Sequence, residues 1–205
     1  MTSTSKRAKV RDFDWEALTV VTVRTTSDVS QVKLRADMLP GSTWGSNLRG
    51  ICTRPVWDRL RFAVAAAANN RCEVCGDESL GSGGKAQRPD CHELWVFEDR
   101  GGVLVQRLDR LVALCKGCHA VQHTGLASIN GTLDLVALTL QRVNGWTAAA
   151  AESDIKRAFD RYAMMNALAF DLDLTLLADQ IQVAGHSSLL IAADDRKALG
   201  NSYFH

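Results

Sequence analysis

Two Cys-x2-Cys steps, Cys72-Glu73-Val74-Cys75 and Cys115-Lys116-Gly117-Cys118, govern how the middle of this chain can fold. Each step lets one short knuckle present two thiolates to a tetrahedral ion, with sulfur about 2.3 Å from zinc. Such an ion ties together segments that have no core of their own. Cys72, Cys75, Cys115 and Cys118 are therefore read as the four ligands of a structural Zn2+ in a zinc ribbon. Cys52 and Cys91 are left over. Cys52 reads as a small buried apolar residue.

The compartment bears on this choice. The N-terminal MTSTSKRAKVRDFDW has basic residues but no apolar segment behind them, and no apolar run approaches the span of a bilayer. The sequence thus predicts a cytoplasmic protein without a membrane partner, where thiols stay reduced and metal ligation prevails over disulfides. The 205 residues, 46% hydrophobic and 23% charged, suffice for one good core, or one core with a small satellite. The net charge of +1 conceals an asymmetry. Residues 1–71 hold 12 Lys and Arg against 6 Asp and Glu, residues 72–125 hold 6 against 8, and residues 126–205 hold 6 against 9. A basic front half beside a metal module suits a partner that carries phosphates, although a solvated surface has the same composition.

Residues 1–14 are polar without periodicity and read as a flexible arm. The stretch 15–70 reads as a β-containing segment with a lead-in helix. Within it, ALTVVTVRT at 17–25 and SQVKLRAD at 30–37 have strand composition, and 38–50 has the Pro, Gly, Ser and Asn of a loop. Val56, Leu60, Val64 and Ala67 recur at helical spacing after Pro55, and Asn69-Asn70 ends that helix just before Cys72. Residues 71–125 form the metal module. It contains a Gly-rich flexible loop at 76–90, two short strands at 94–97 and 103–108, and a helix from Cys118. Residues 126–205 read as a helical part, with helices near 132–143, 147–168 and 174–181 and no clear assignment after Gly185. The fold class is α+β.

The chemistry concentrates in 90–123. His119 directly follows a zinc cysteine, and His123 lies one helical turn later on the same face. Two imidazoles at i and i+4 can chelate one ion, and His92 can approach them from a strand across the helix. A site of four sulfurs does not need them, so they are free for a second metal. The competing reading makes His119 a packed helix-end residue and His123 a solvated one.

A knuckle, a His-bearing strand end, a hairpin and then Leu-x2-Leu-Cys-x2-Cys-His-x3-His resembles the HNH, or ββα-metal, nucleases over residues 71–125. With MLPGSTWGSNLR, VWDRLR, RCEVCG and CHELW included, the likeness extends over 37–178 to a group of bacterial HNH proteins. The resemblance implies a hydrolase, a metal-dependent endonuclease that cleaves DNA phosphodiester bonds. His119 and His123 would bind a catalytic Mg2+ or Mn2+, whose charge stabilises the transition state. His92-Glu93 falls where the family has a His-His or Asp-His pair. Either His92 is the general base with Glu93 supporting the metal, or His92 is a ligand and Glu93 takes the proton. The first assignment is preferred here. The family's middle Asn falls at Arg110, which cannot accept a hydrogen bond but can grip phosphate in a bidentate manner. That substitution keeps an alternative open, a catalytically degenerate module that binds nucleic acid or a protein partner as a regulator or inhibitor. A purely structural ribbon is a third reading. Arg54, Arg59 and Arg61 flank the first knuckle helix and are candidate phosphate contacts. Among the tryptophans, Trp44 can stack on bases, whereas Trp57 and Trp95 sit in apolar patterns and read as core.

Overall fold

A computed structural model describes residue 23, residues 32–196 and residues 198 and 199, apart from the Ser82 side chain. The predicted arm at 1–14, nearly all of the predicted strand at 17–25 and the tail from 200 lie outside the described residues. In chain order the elements are α1 (Leu48–Ile51), α2 (Arg54–Ala67), β1 (Ser79–Leu80), β2 (Ala86–Gln87), β3 (Asp90–Asp99), β4 (Leu104–Leu114), α3 (Lys116–Gln122), α4 (Thr124–Ile129), α5 (Leu133–Asn144), α6 (Ala148–Met165), β5 (Asp171–Asp173), β6 (Leu190–Ile191) and α7 (Ala193–Arg196). The architecture is α+β, and no described helix is long and apolar enough to cross a membrane.

The centre is the antiparallel pair β3 and β4, joined by a turn in which Gly101 and Gly102 take positive φ. β4 then pairs in parallel with β5, and β5 pairs antiparallel with β6, giving the order β3-β4-β5-β6. This leaves β3 at one edge of the four-stranded sheet. Side chains alternate across a strand, and here the alternation, reset by one unpaired residue of β4 (Asp109), divides two core layers. Leu94, Val112 and Leu114 join Cys72, Cys115, Cys118 and Val121 in one layer, which α5 and α6 cover with Val136, Leu140, Ala151 and Ala158. Leu108 enters the other layer with Leu48, Leu60, Leu172, Leu174 and Ile191, and Trp95 and Leu111 pack against it. The register shift between Leu94 and Trp95 is a bulge on β4, where Asp109 has no partner, and it puts Leu108 on the face opposite Val112.

Several elements differ from the sequence reading. The Gly-rich stretch is more than a loop, because Ser79–Leu80 and Ala86–Gln87 pair as a small hairpin. The two central strands are longer than their apolar centres, since β3 begins at Asp90 and β4 runs to Leu114. The C-terminal part is not wholly helical. It contributes β5 and β6, three and two residues long, too short for any periodicity to betray. Residues 32–37 make only one bridge, Leu34 to Val23. Side chains satisfy their backbone instead. Asn144 Oδ1 accepts from Lys33 N and Leu34 N, at 3.0 and 3.1 Å, and Asp154 Oδ2 accepts from Ala36 N at 2.7 Å. The helix expected near 174–181 is only a 3-10 turn, Thr175–Leu177, whereas the longer helices follow expectation more closely. α2 has Pro55 in its first turn and ends at Asn69 and Asn70, both at positive φ, while Thr147 Oγ1 caps α6 by accepting from Ala150 N.

Candidate metal centres and the groove beside them

The first centre joins two loops. Arg71 to Cys75 follows α2, and Cys115 caps the N-terminus of α3, with Cys118 one turn inside it. All four sulfurs lie within 4.8 Å of one another, so they can hold a metal ion such as zinc. The separation of Cys75 Sγ from Cys115 Sγ is 3.7 Å, close to the distance between two ligands of one tetrahedral ion. None of the six cysteines is in a disulfide. The thiols contend for one another's protons. Hydrogen bonding to Cys115 pushes Cys75 and Cys118 up, while the same neighbour holds Cys72 down. Four thiolates so close together need a cation to coexist. Glu73, between the first two cysteines, fastens the knuckle to the sheet by accepting from Ala113 N at 2.8 Å.

The second centre hangs from the same helix. His119 and His123 project from the end of α3, and their Nε2 atoms are 3.0 Å apart. His92 meets them from β3, with ring centroids 5.2 Å from His119 and 5.1 Å from His123. One nitrogen from each ring falls within a 4.8 Å cluster that can hold an ion. Two nitrogens at 2.0–2.1 Å from a tetrahedral ion stand about 3.3 Å apart, close to what is seen. His119 Nδ1 is 2.9 Å from Asp90 Oδ2. A carboxylate only accepts, so that nitrogen carries the proton and Nε2 presents its lone pair to the cluster, an orientation typical of metal-binding histidines. Lys116 Nζ also donates to both Asp90 oxygens. Burial pushes the Asp90 carboxyl up, but the hydrogen bonds from His119 and Lys116 prevail and lower it to about 2. His92 is driven well below the usual imidazole value, by burial first and then by His119 and His123. His123 is lowered to about 4 by desolvation of its ring and then by His119. His92 Nδ1 is buried without a hydrogen-bond partner.

Glu93 leaves β3 on the face opposite His92, since His92 is registered with Val112 and Glu93 with Leu111. It is half-buried, and its Oε1 accepts from the backbone N–H of Leu48 at the start of α1, 2.9 Å away. Burial raises its pKa, and the Leu48 N–H works against that rise. Glu93 belongs to neither metal cluster.

The histidine cluster adjoins a long groove beside β3, whose lining includes none of the four clustered cysteines. Asp90, Glu93, His119 and His123 line it, together with Arg54 and Arg61. Arg59 and Arg110 lie outside that lining. Arg59 donates to Gln180 O at 2.5 Å, and Arg110 donates to Glu73 Oε2 at 3.2 Å. Sequence reasoning gave no role to the groove cations Arg49, Arg71, Arg88, Lys116 and Arg196, nor to Asp90. Asp90 had a signal, because it stands two residues before His92 and so shares its face of the strand. Arg49 and Arg88 had none, since neither belongs to a pattern. No protein-family model, curated protein or solved structure matches this chain.

Proposed function

We propose that this protein is a metal-dependent endonuclease of the HNH type that hydrolyses DNA phosphodiester bonds, with a structural Zn2+ on its four cysteines. The observation that carries the reading is the convergence of His92, His119 and His123 at a groove that His119, His123, Glu93, Arg54 and Arg61 line. Three imidazoles fit a transition ion such as Mn2+ or Zn2+ better than Mg2+, which prefers oxygen ligands. When bound, such an ion supplies Lewis-acid stabilisation of charge on the scissile phosphate and the leaving oxygen.

The clustering of His92 with His119 and His123 supports the ligand half of the second assignment left open by the sequence, and the base half rests on Glu93 lining the same groove from the opposite face of β3. His92 belongs with the metal histidines, and Glu93 is the general base that takes a proton from the attacking water. Leu48 N–H holds Glu93 Oε1 at 2.9 Å, which orients the carboxylate for that role. Asp90 orients His119, and Arg54 and Arg61 neutralise flanking phosphates. A specific observation supports the binding-only alternative. Arg110, at the position of the family's bracing Asn, is engaged with Glu73 in the zinc knuckle, so that brace is missing.

Plasmid nicking with Mn2+, Zn2+ or Mg2+ separates the two readings. The parent should nick, and Glu93→Gln should lower the rate at least about 100-fold while retaining both metal sites and DNA affinity. Replacing His119 or His123 with Ala should cut the metal stoichiometry from two ions to one. A parent protein inactive with every ion on single and double strands would leave the binding module as the better account.

A further inference from the structure

Resting on the nuclease reading, we infer that the groove binds single-stranded DNA, with Trp44 as a platform on which an unpaired base stacks. Trp44 is 63% exposed and lines the same groove as Glu93 and His119. An exposed tryptophan on a loop carries no information by itself, but this loop is fastened by side-chain hydrogen bonds on both sides of Trp44. The indole Nε1 donates to Leu39 O at 2.9 Å, and Thr43 Oγ1 donates to Pro40 O at 2.8 Å. Gly41 N donates to Asn166 Oδ1 at 2.8 Å.

Beneath the loop lies Arg196, buried from the far end of the chain. Its guanidinium donates to Ser46 Oγ at 2.6 Å and to Thr43 O at 3.1 Å, on either side of Trp44. It also reaches Phe170 O at 3.3 Å and Gln106 Oε1. Burying that cation lowers its pKa to about 10, so the fold accepts a cost to fix these two carbonyl and hydroxyl groups. The result is a rigid support beneath a large aromatic side chain that is left in solvent. Rigid aromatics lose little conformational freedom on contact, which makes them effective binding surfaces.

Seven Lys and Arg residues line the groove against five Asp and Glu, and Arg61 and Arg71 pair with Asp58 and Glu78, so the cations without such pairs point to the occupant. Arg49 and Arg88 both line it, and among the described residues neither has a carboxylate partner. Arg88 and Arg61 sit over the Phe62 ring at 4.7 and 4.1 Å from its centroid, which steadies both guanidiniums on the groove wall. Arg54 makes only a loose 3.8 Å pair with Asp58 and is otherwise in solvent. Cations along a groove track a phosphate backbone, and a base stacked on an aromatic ring needs a bare π-face. In a duplex those faces are covered by neighbouring bases. An unpaired strand uses both features, whereas a duplex uses only the cations.

Fluorescence anisotropy of a labelled DNA oligonucleotide of about 16 nucleotides, without added divalent ion, tests this. The parent should bind the single strand more tightly than the same sequence as a duplex. Trp44→Ala should weaken single-strand binding about tenfold or more while shifting duplex binding less than about twofold, and Trp44→Phe should restore most of the loss. Thermal melting checks that each variant is folded. Equal or tighter duplex binding, or an unaltered Trp44→Ala protein, would overturn the inference. A parent that nicks plasmid without single-strand preference refutes this inference alone. One that binds single strands through Trp44 yet cleaves nothing refutes the nuclease reading alone.

Discussion

The cysteine cluster and the histidine cluster both hang from α3, one through Cys115 and Cys118, the other through His119 and His123. Cys118 and Val121 turn into the core layer beneath α5 and α6, and Cys72 is buried there with them. His119 and His123 turn to the groove, backed by Asp90. One short helix thus gives a closed site of four sulfurs and an open site of three nitrogens. A closed tetrahedral set leaves no position for substrate and lends its ion to folding. Three ligands with an adjoining groove leave coordination positions for chemistry. The difference follows from which side of α3 each residue occupies.

The sharpest way to break this comparison is to damage the closed site. Cys118→Ser should cost more stability than any single change at the histidines, because its ligand is at the centre of the larger core layer. Loss of the folded state, or a fall in melting temperature above about 10 °C, is expected. Chelation of the parent should do the same. A soluble, fully folded Cys118→Ser protein with unchanged melting would remove the structural role.

Asp90→Asn should act on the open site alone. With the carboxylate gone, His119 loses the acceptor that sets its tautomer, and affinity for the second ion should fall about 10–100-fold. Titration calorimetry of metal binding reads this directly, while zinc content at the cysteines stays at one ion. Equal affinity in the variant would mean that Asp90 serves only Lys116.

The smallest effect is expected beside the closed site. Asp77 pairs with Arg142 at 2.6 Å, but both side chains are more than half exposed. Such a pair contributes about 0–1 kcal/mol. Asp77→Asn should therefore leave the denaturation midpoint nearly unchanged, because the backbone bond from Cys72 N to Asp77 O survives the change. A loss above about 2 kcal/mol would make the ion pair part of the zinc knuckle.

Much of this was legible before any coordinates. Paired cysteines two residues apart, histidines four apart on a helix, Pro55 near a helix start and Thr147 as a cap are local patterns, set by bond geometry within a turn or two. That each knuckle could offer two sulfurs to one ion followed from those patterns. The missed strands β5 and β6 are the opposite case. Asp171–Asp173 becomes a strand only because β4 offers a parallel edge to it, and three residues have no periodicity to announce that.

The roles of His92 and Glu93 show the limit most clearly. They are neighbours in the chain, and no spacing rule says which joins the metal. Pairing His92 with Val112 and Glu93 with Leu111 put them on opposite faces, one toward α3 and one toward Leu48. Arg110 likewise found Glu73, and Trp44 was raised on a loop fastened by Arg196, 152 residues further along the chain. Which groups could serve as ligands was written locally, because ligand spacing is a property of one turn. Which of them meet, and which face the groove, depended on strand register and on the edge position of β3, and both arise only when distant segments pack.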